Sequence, residues 1–330
     1  HRAANVVRLG SKKKRNKAKS LLRFLENVGM TLKQLEAFYW AATCLNFSVA
    51  AERVHLSVSS LSKRIAELEA SLGVQLFDRS GRAAELTPQG EQLLPRIREL
   101  LHGASQLRQA AGRTVGLQGR CRIGFGELSG LTWLPQLVQQ VAQLHPDLQL
   151  EPTTDIGQTL EQRIVDGELD CVVIAGPSSR SSLAFEHVAQ VRFVWVASAA
   201  FIARVGTDQP QRLVREQQLL IALPTGSGAT RTLDDWLSRN ALSVGRRLSC
   251  NSWGAVVGMV VDGLGFTYMP QRWAEALQER GALRILARGG ALAPLNYTVQ
   301  WRRDDTRPLI TEMREIIKSV IDFPAPRCLS

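Results

Sequence analysis

The sequence predicts a multidomain chain with an all-α amino-terminal module bearing a small wing, then a long linker helix, then a two-lobed α/β region. Three observations carry that prediction. Residues 47–79 read as two short helices around a tight turn, residues 88–111 repeat apolar side chains at helical spacing, and beyond residue 116 short apolar strands alternate with amphipathic helices.

Taken in order, residues 1–29 hold nine Lys/Arg and one acid, Glu26, a net +8, which leaves about +3 of the chain's +11 for the other 301 residues. This leader lacks a starting Met and precedes Met30-Thr31-Leu32, which itself resembles a protein start. It reads as a basic, disordered extension, with an arm lying on phosphates as the alternative. A first helix follows over 32–45, capped by Thr31 and burying Leu32, Leu35, Phe38, Ala42 and Leu45. A shorter one over 49–55 has Ser48 as its cap and Ala50 and Ala51 for close packing. Ser57 then caps a helix beginning at Val58, with Leu56 and Leu61 at the positions of a hydrophobic staple. Leu61, Ile65, Leu68 and Leu72 form one apolar stripe, Ser59, Ser62, Lys63, Ala66 and Glu67 face outward, and Gly73 is the natural stop.

Residues 74–77 and 84–86 read as a small antiparallel pair around Ser80-Gly81-Arg82, so the motif is a winged helix-turn-helix over 30–87. Arg79 and Arg82 on that wing suit phosphate or minor-groove contact. Thr87 and Pro88 open a linker helix over 88–116. Along it Leu93, Ile97, Leu100, Ala104, Leu107 and Ala111 alternate at four and three residues, a heptad seam that predicts a partner helix and hence a homodimer. From 30 to 95 six basic residues meet seven acidic ones, so placement rather than bulk charge must argue for nucleic acid.

Phe47-Ser48, Ala50-Ala51, Leu56-Ser57, Leu61-Ser62, Ile65, Leu68-Glu69, Leu72-Gly73, Leu76-Phe77, Arg79, Leu86-Thr87 and Gly90 together carry a resemblance. The run from 30 to about 101 resembles the amino-terminal domain of LysR-type transcriptional regulators, and the rest of the chain resembles them in layout. The resemblance implies a DNA-binding regulator controlled by a small molecule, assembling as a dimer and typically as a tetramer. Residues expected at double-stranded DNA are Ser48, Ser57, Val58, Ser59, Ser62, Lys63, Arg64, Arg79 and Arg82. The chain departs from the family at Val58-Ser59, where Gln-Pro or a similar pair is usual, and at Lys63, where Arg is common. A glutamine amide can read adenine bidentately, whereas Val58 offers only apolar contact, for instance to a thymine methyl.

Beyond the glycines at 116 and 119, strands are expected over 121–125, 148–152, 171–174, 191–197, 218–222, near 248, over 265–269 and over 295–301. Helices are expected around 131–144, 158–166, 231–239, 252–262 and 308–321. This pattern predicts an effector domain over 117–330 with two periplasmic-binding-protein-like lobes, the first over 117–190 and 295–330 and the second over 191–294. Ligands in such sheets sit beyond the carboxyl ends of strands, near helix amino termini. The candidates there are Glu127, Leu128, Ser129, Gly130, Thr153, Thr154, Gly157, Ala175, Gly176, Pro177, Pro224, Thr225, Gly226, Ser227, Gly228 and Met269. Small, hydroxylated, glycine-rich loops suit a small organic anion, although no guanidinium is obviously placed to clamp a carboxylate.

Other classes find little support. Gly124-Phe125-Gly126 with Gly130 is one residue off a dinucleotide fingerprint, and no HExxH pair or GxSxG elbow marks a hydrolase. Asp166, Glu168 and Asp170 fit a helix end and strand entry better than paired carboxylates. No cofactor or metal is expected, because the five cysteines (44, 121, 171, 250 and 328) are scattered, a pattern that also fits a reducing cytoplasm. The most apolar stretch, 255–269, is broken by Asp262 and three glycines, which argues against a membrane span. A solute-binding protein without regulatory role is the main rival, and it is opposed by the winged motif.

Overall fold

The computed structural model describes residues 29–44, 46–79, 84–110, 117–286 and 292–324. The leader over 1–28, Leu45, Arg82, Ala111 and Cys328 lie outside these residues. The chain divides into two compact units, one built mainly of residues before 115 and one of those after it.

In the first unit, helix α1 (Leu32–Cys44) opens with a reciprocal cap. The Gln34 amide N–H donates to Thr31 Oγ1 at 3.3 Å, and the Thr31 N–H donates to Gln34 Oε1 at 2.9 Å. Helix α2 (Phe47–Arg53) starts two residues earlier than its sequence suggests. Asn46, not Ser48, is its cap, because the Asn46 carboxamide accepts from the Ser48 and Val49 amides at 2.9 and 3.3 Å and so leaves Ser48 inside the helix. Helix α3 (Val58–Leu72) is capped by Ser57, whose Oγ accepts from the Ser60 N–H, and ends at Gly73 with φ 68°. Leu61, Ile65 and Leu68 are fully buried; Leu72 is half-buried.

The wing is shorter than expected. Strands β1 (Phe77–Asp78) and β2 (Glu85–Leu86) pair over two residues each. The reason is Glu69, a buried carboxylate whose Oε1 accepts from the amides of Leu76 and Phe77 at 2.8 and 3.1 Å. That bond ties the wing to the far end of α3. Phe77 completes the joint, with its ring edge-to-face against Phe38 of α1 and Phe47 of α2.

Helix α4 (Pro88–Ala110) follows, its first turn held by Thr87 Oγ1, which donates to the Gln75 carbonyl and accepts from the Gly90 amide. A Cβ on Gly90 would lie 2.3 Å from the Leu76 carbonyl oxygen, so only glycine allows the helix this close to the wing. The expected seam is partly committed within the chain. Ile97 is 4% exposed and packs in the first unit's core, with Leu93, Leu94, Leu100 and Leu101 against it. This is a broader apolar face than a bare heptad, and farther along the helix Ala104 and Leu107 are half-buried.

The second unit contains two five-stranded sheets. The first has the order β4-β3-β5-β12-β6, from β3 (Gly119–Phe125), β4 (Leu148–Thr154), β5 (Cys171–Ala175), β6 (Leu183–Val191) and β12 (Leu295–Arg302). Strands β3, β4 and β5 are parallel, and β12 returns antiparallel to both β5 and β6. The second has the order β11-β7-β10-β8-β9, from β7 (Phe193–Ala197), β8 (Leu220–Ala222), β9 (Arg247–Ser249), β10 (Phe266–Pro270) and β11 (Arg284–Ile285). Helices α5 (Glu127–Thr132), α6 (Leu134–Leu144), α7 (Gly157–Val165) and α13 (Pro308–Val320) accompany the first lobe. Helices α8 (Ala199–Val205), α9 (Pro210–Arg215), α10 (Gly228–Arg239), α11 (Trp253–Val261) and α12 (Gln271–Glu279) accompany the second.

The single strand expected over 191–197 is in fact the junction of two. Val191 ends β6 in the first sheet, and Phe193 begins β7 in the second. Strand β6 exposes polar residues on one face and even Phe185, so it lacks an apolar run that would announce it.

Replacing Glu69 by Ala leaves two buried amides without an acceptor, each costing about 1–3 kcal/mol. Urea denaturation of the chain is expected to show the first unit destabilised by about that amount. An unchanged midpoint would mean that water replaces the carboxylate.

Candidate functional site

Helix α3 divides cleanly into two faces. Its apolar stripe is buried, whereas Val58 is 43% exposed and Ser59, Ser60 and Lys63 are exposed beside half-buried Ser62 and Arg64. An exposed valine at the first position of a helix has no packing role to explain it. In the same turn Ser57 Oγ lies 2.9 Å from the hydroxyls of both Ser59 and Ser60, forming a compact hydroxyl cluster. Ser60 belongs to this cluster although the sequence reading omits it. Ser48 is exposed on α2. Arg79, at the foot of the wing, approaches Glu69 Oε2 at 3.7 Å while keeping much of its guanidinium in solvent.

The second unit has a cleft of about 340 Å³ at the carboxyl ends of its strands. The first lobe contributes Gly126, Glu127 and Leu128 after β3, then Thr154, Asp155, Ile156 and Gly157 after β4, then Ile174 and Ala175 from β5 and Tyr297 from β12. The second lobe contributes Leu223, Pro224, Ser227, Gly228 and Ala229 after β8, with Asn251 and Trp253 at the start of α11.

Of the expected ligand residues, Glu127, Leu128, Thr154, Gly157, Ala175, Pro224, Ser227 and Gly228 line this cleft. The others do not. Ser129 is fully buried on α5, its hydroxyl without a hydrogen-bond partner. Gly130 lies behind Thr154, with room for a Cβ 3.5 Å from its Oγ1. Thr153 alternates to the other side of β4 from Thr154. Gly176 has φ 86° and sits against the Arg231 guanidinium, where a Cβ would be 2.7 Å from Nη2, and Pro177 beyond it is exposed. Thr225 and Gly226 are exposed at the turn before α10. Met269 is fully buried within β10, between β7 and β8, which removes it from the cleft altogether. Asp155, Ile156, Ile174, Leu223, Asn251, Trp253 and Tyr297 were not legible as lining residues; Trp253 in particular reads from sequence as a core anchor.

Two contacts between lining residues join the lobes across the cleft. The Trp253 amide at the start of α11 donates to Glu127 Oε2 at 2.8 Å. Burial raises the Glu127 pKa above the usual carboxylate range, opposed by that amide and by the Ser252 hydroxyl. Beside it Gly228 abuts Ala175 so closely that a Cβ would fall 2.1 Å from the Ala175 Cβ.

Of the near-fingerprint glycines, Gly124 has a packing role. A Cβ at Gly124 would collide with Leu160, Leu169 and Val172 at 2.7–2.9 Å. Asp170 is likewise structural: its Oδ2 accepts from the Arg122 amide at 2.7 Å as β5 enters the sheet beside β3.

Comparison with known proteins accords with both halves. Residues 32–91 match the family model for the bacterial regulatory helix-turn-helix protein, lysR family, and residues 115–322 match that for the LysR substrate binding domain. The chain is 32% identical over 249 residues to the HTH-type transcriptional regulator YofA of Bacillus velezensis, which covers 74% of this chain and 83% of that protein. It is 30% identical over 295 residues to a probable hydrogen peroxide-inducible genes activator of Mycobacterium avium, covering 88% of this chain and 95% of that one. Among solved structures, full-length OxyR from Pseudomonas aeruginosa superposes with a TM-score of 0.59 at 23% identity, over 90% of this chain and all of that one, a likeness of fold. With a helix-turn-helix unit ahead of a two-lobed substrate-binding unit, the chain belongs to the LysR family of transcriptional regulators.

Proposed function

We propose that α3 lies in the major groove of double-stranded DNA, with Ser59, Ser62 and Lys63 at base edges, Arg64 at the groove margin and Val58 against a thymine methyl. Ser48, Ser57 and Arg79, with Arg82 beyond the described residues, hold the phosphate backbone and set the register. The observation that carries this reading is the exposed, hydroxyl-rich first turn of α3, headed by Val58, on a helix whose other face is fully buried. The cleft holds a small-molecule effector, and the chain acts as a homodimer or tetramer in the cytoplasm. No described helix is long and apolar enough to cross a membrane.

Peroxide sensing, which one relative's name suggests, finds no support in the cleft. A peroxide-reactive thiolate needs exposure and a favourable electrostatic setting. No described cysteine lines the cleft; Cys44, Cys121 and Cys171 are buried, and Cys250 is half-buried with its thiol on the Ser252 carbonyl.

Replacing Lys63 and Arg64 together by Ala is expected to weaken retention of operator DNA in a gel assay by at least about tenfold, from loss of base and phosphate contacts of about 1–3 kcal/mol. Unchanged retention would remove α3 from the groove. Ser59→Ala is expected to alter preference between operator sequences more than the slope of affinity against salt, because a neutral hydroxyl releases no counterions.

Gly228→Ala is expected to force β5 and α10 apart. Thermal melting should show a loss of about 1–3 kcal/mol from overpacking, and the response to effector should fall with it. A melting curve like that of the parent would mean that the lobes separate freely at this point.

A further inference from the structure

We infer that the cleft selects an effector bearing a protonated amine on a compact apolar body, and not the organic anion that its small, hydroxylated loops suggest from sequence. This rests on the cleft being the effector site. Among the described residues, the only charged side chains lining it are two carboxylates, Glu127 and Asp155, from adjacent turns of the first lobe, and no Lys, Arg or His lines it.

Each acid is partly committed and keeps capacity to accept. Glu127 takes the Trp253 amide at Oε2 and a hydrogen bond from the Ser252 hydroxyl, and Asp155 Oδ1 takes the Ile156 amide at 2.7 Å; a carboxylate has about four acceptor sites, so each keeps lone pairs to accept from a ligand. Burial disfavours the charged form of Glu127, and a cation in the cleft would restore it. The two guanidiniums behind the lining are occupied with backbone. Arg231 Nη2 donates to the Ala175 carbonyl, and Arg247 Nη2 donates to the Leu223 carbonyl at 2.8 Å.

The helix amino termini at the cleft carry partial positive charge, worth about half an elementary charge each. That of α11 is met by Glu127, that of α10 by the Ser227 hydroxyl, and the approach to α7 by Asp155, whose Oδ1 takes the Ile156 amide. Glu127 and Asp155 are thus the charged groups that reach the lining itself. Beside the neutral polar groups of Thr154, Ser227 and Asn251, the surface offered by Leu128, Ile174, Pro224, Trp253 and Tyr297 is apolar or aromatic. Aromatic faces attract an ammonium by cation–π interaction. A volume of about 340 Å³ fits a molecule of roughly ten heavy atoms, at the small end of ligand pockets.

Isothermal titration of the full chain with 2-phenylethylamine and with 3-phenylpropionate tests this with two probes of matched body and opposite charge. The amine is expected to bind at millimolar concentration or below and the acid not to bind. Glu127→Gln and Asp155→Asn retain an acceptor for the Trp253 and Ile156 amides, so they remove charge while sparing the fold, as unchanged melting would confirm. Each should weaken the amine by about tenfold, the scale of a lost charge-assisted hydrogen bond. Thr154→Trp, which fills the cleft from an exposed strand end, should abolish it. Binding of the acid in place of the amine, lost in Thr154→Trp and in Arg231→Gln, would overturn the amine assignment and leave the cleft as the effector site. Amine binding indifferent to Thr154→Trp would overturn the cleft reading itself, and absence of any amine binding would overturn the proposal.

Discussion

Strand β12 pairs along both of its edges in the middle of the first sheet, between β5 and β6, and the second unit depends on that pairing. The chain leaves the first sheet after Val191, builds the whole second lobe, and comes back at Leu295 to complete a sheet begun more than a hundred residues earlier. Gln300, fully buried on β12, bonds the Gly176 carbonyl and Thr298 at 3.1 Å, which fixes the register from within the core. The chain thus crosses between the lobes twice, with the cleft where their strand ends meet. Such a joint lets the lobes move as bodies about few dihedrals.

Movement of that kind carries a signal only if a ligand distinguishes two arrangements, because equal affinity for both shifts nothing. The Glu127–Trp253 bond and the Gly228–Ala175 contact are the places where such a distinction arises. Both span the cleft, and both are short enough that opening the lobes must break them. A ligand that engages Glu127 changes the strength of the interlobe bond as well as filling space. Binding and closure are then coupled through one carboxylate.

How much of this the sequence discloses depends on whether a residue's role is set by its neighbours in the chain. The caps at Thr31, Ser57 and Thr87 and the stop at Gly73 are local events, and their residue types announce them. Ser48 misleads because Asn46, two residues earlier, is also a good cap, and by accepting from the Ser48 and Val49 amides it starts the helix before Ser48. The strands that point at the cleft are legible from their apolar runs, which is why Leu128, Thr154 and Ser227 are recognisable. Trp253 and Tyr297 are not, since each reaches the cleft from a segment distant in sequence. Met269 shows the converse: it follows an apolar strand as a ligand residue should, yet the neighbouring strands β7 and β8 enclose it. The heptads of α4 are ambiguous for a related reason. The same spacing serves a partner helix or the chain's own core, and burial of Ile97 answers for the first half of the helix alone.

Charge decides what the first unit can do with DNA. Its helix-turn-helix and wing are close to neutral, so these elements by themselves attract phosphate weakly and release few counterions. Arg79, which could contribute, already shares its charge with Glu69. The side chains proposed above to face the bases are mostly hydroxyls, which discriminate less sharply than a bidentate amide or guanidinium. In the proposed dimer, affinity is gained by binding two modules at once, where the second binds at high effective concentration after the first. That places the control of binding in the spacing between modules, because a change of geometry that prevents simultaneous engagement removes the gain without altering a single contact at the bases.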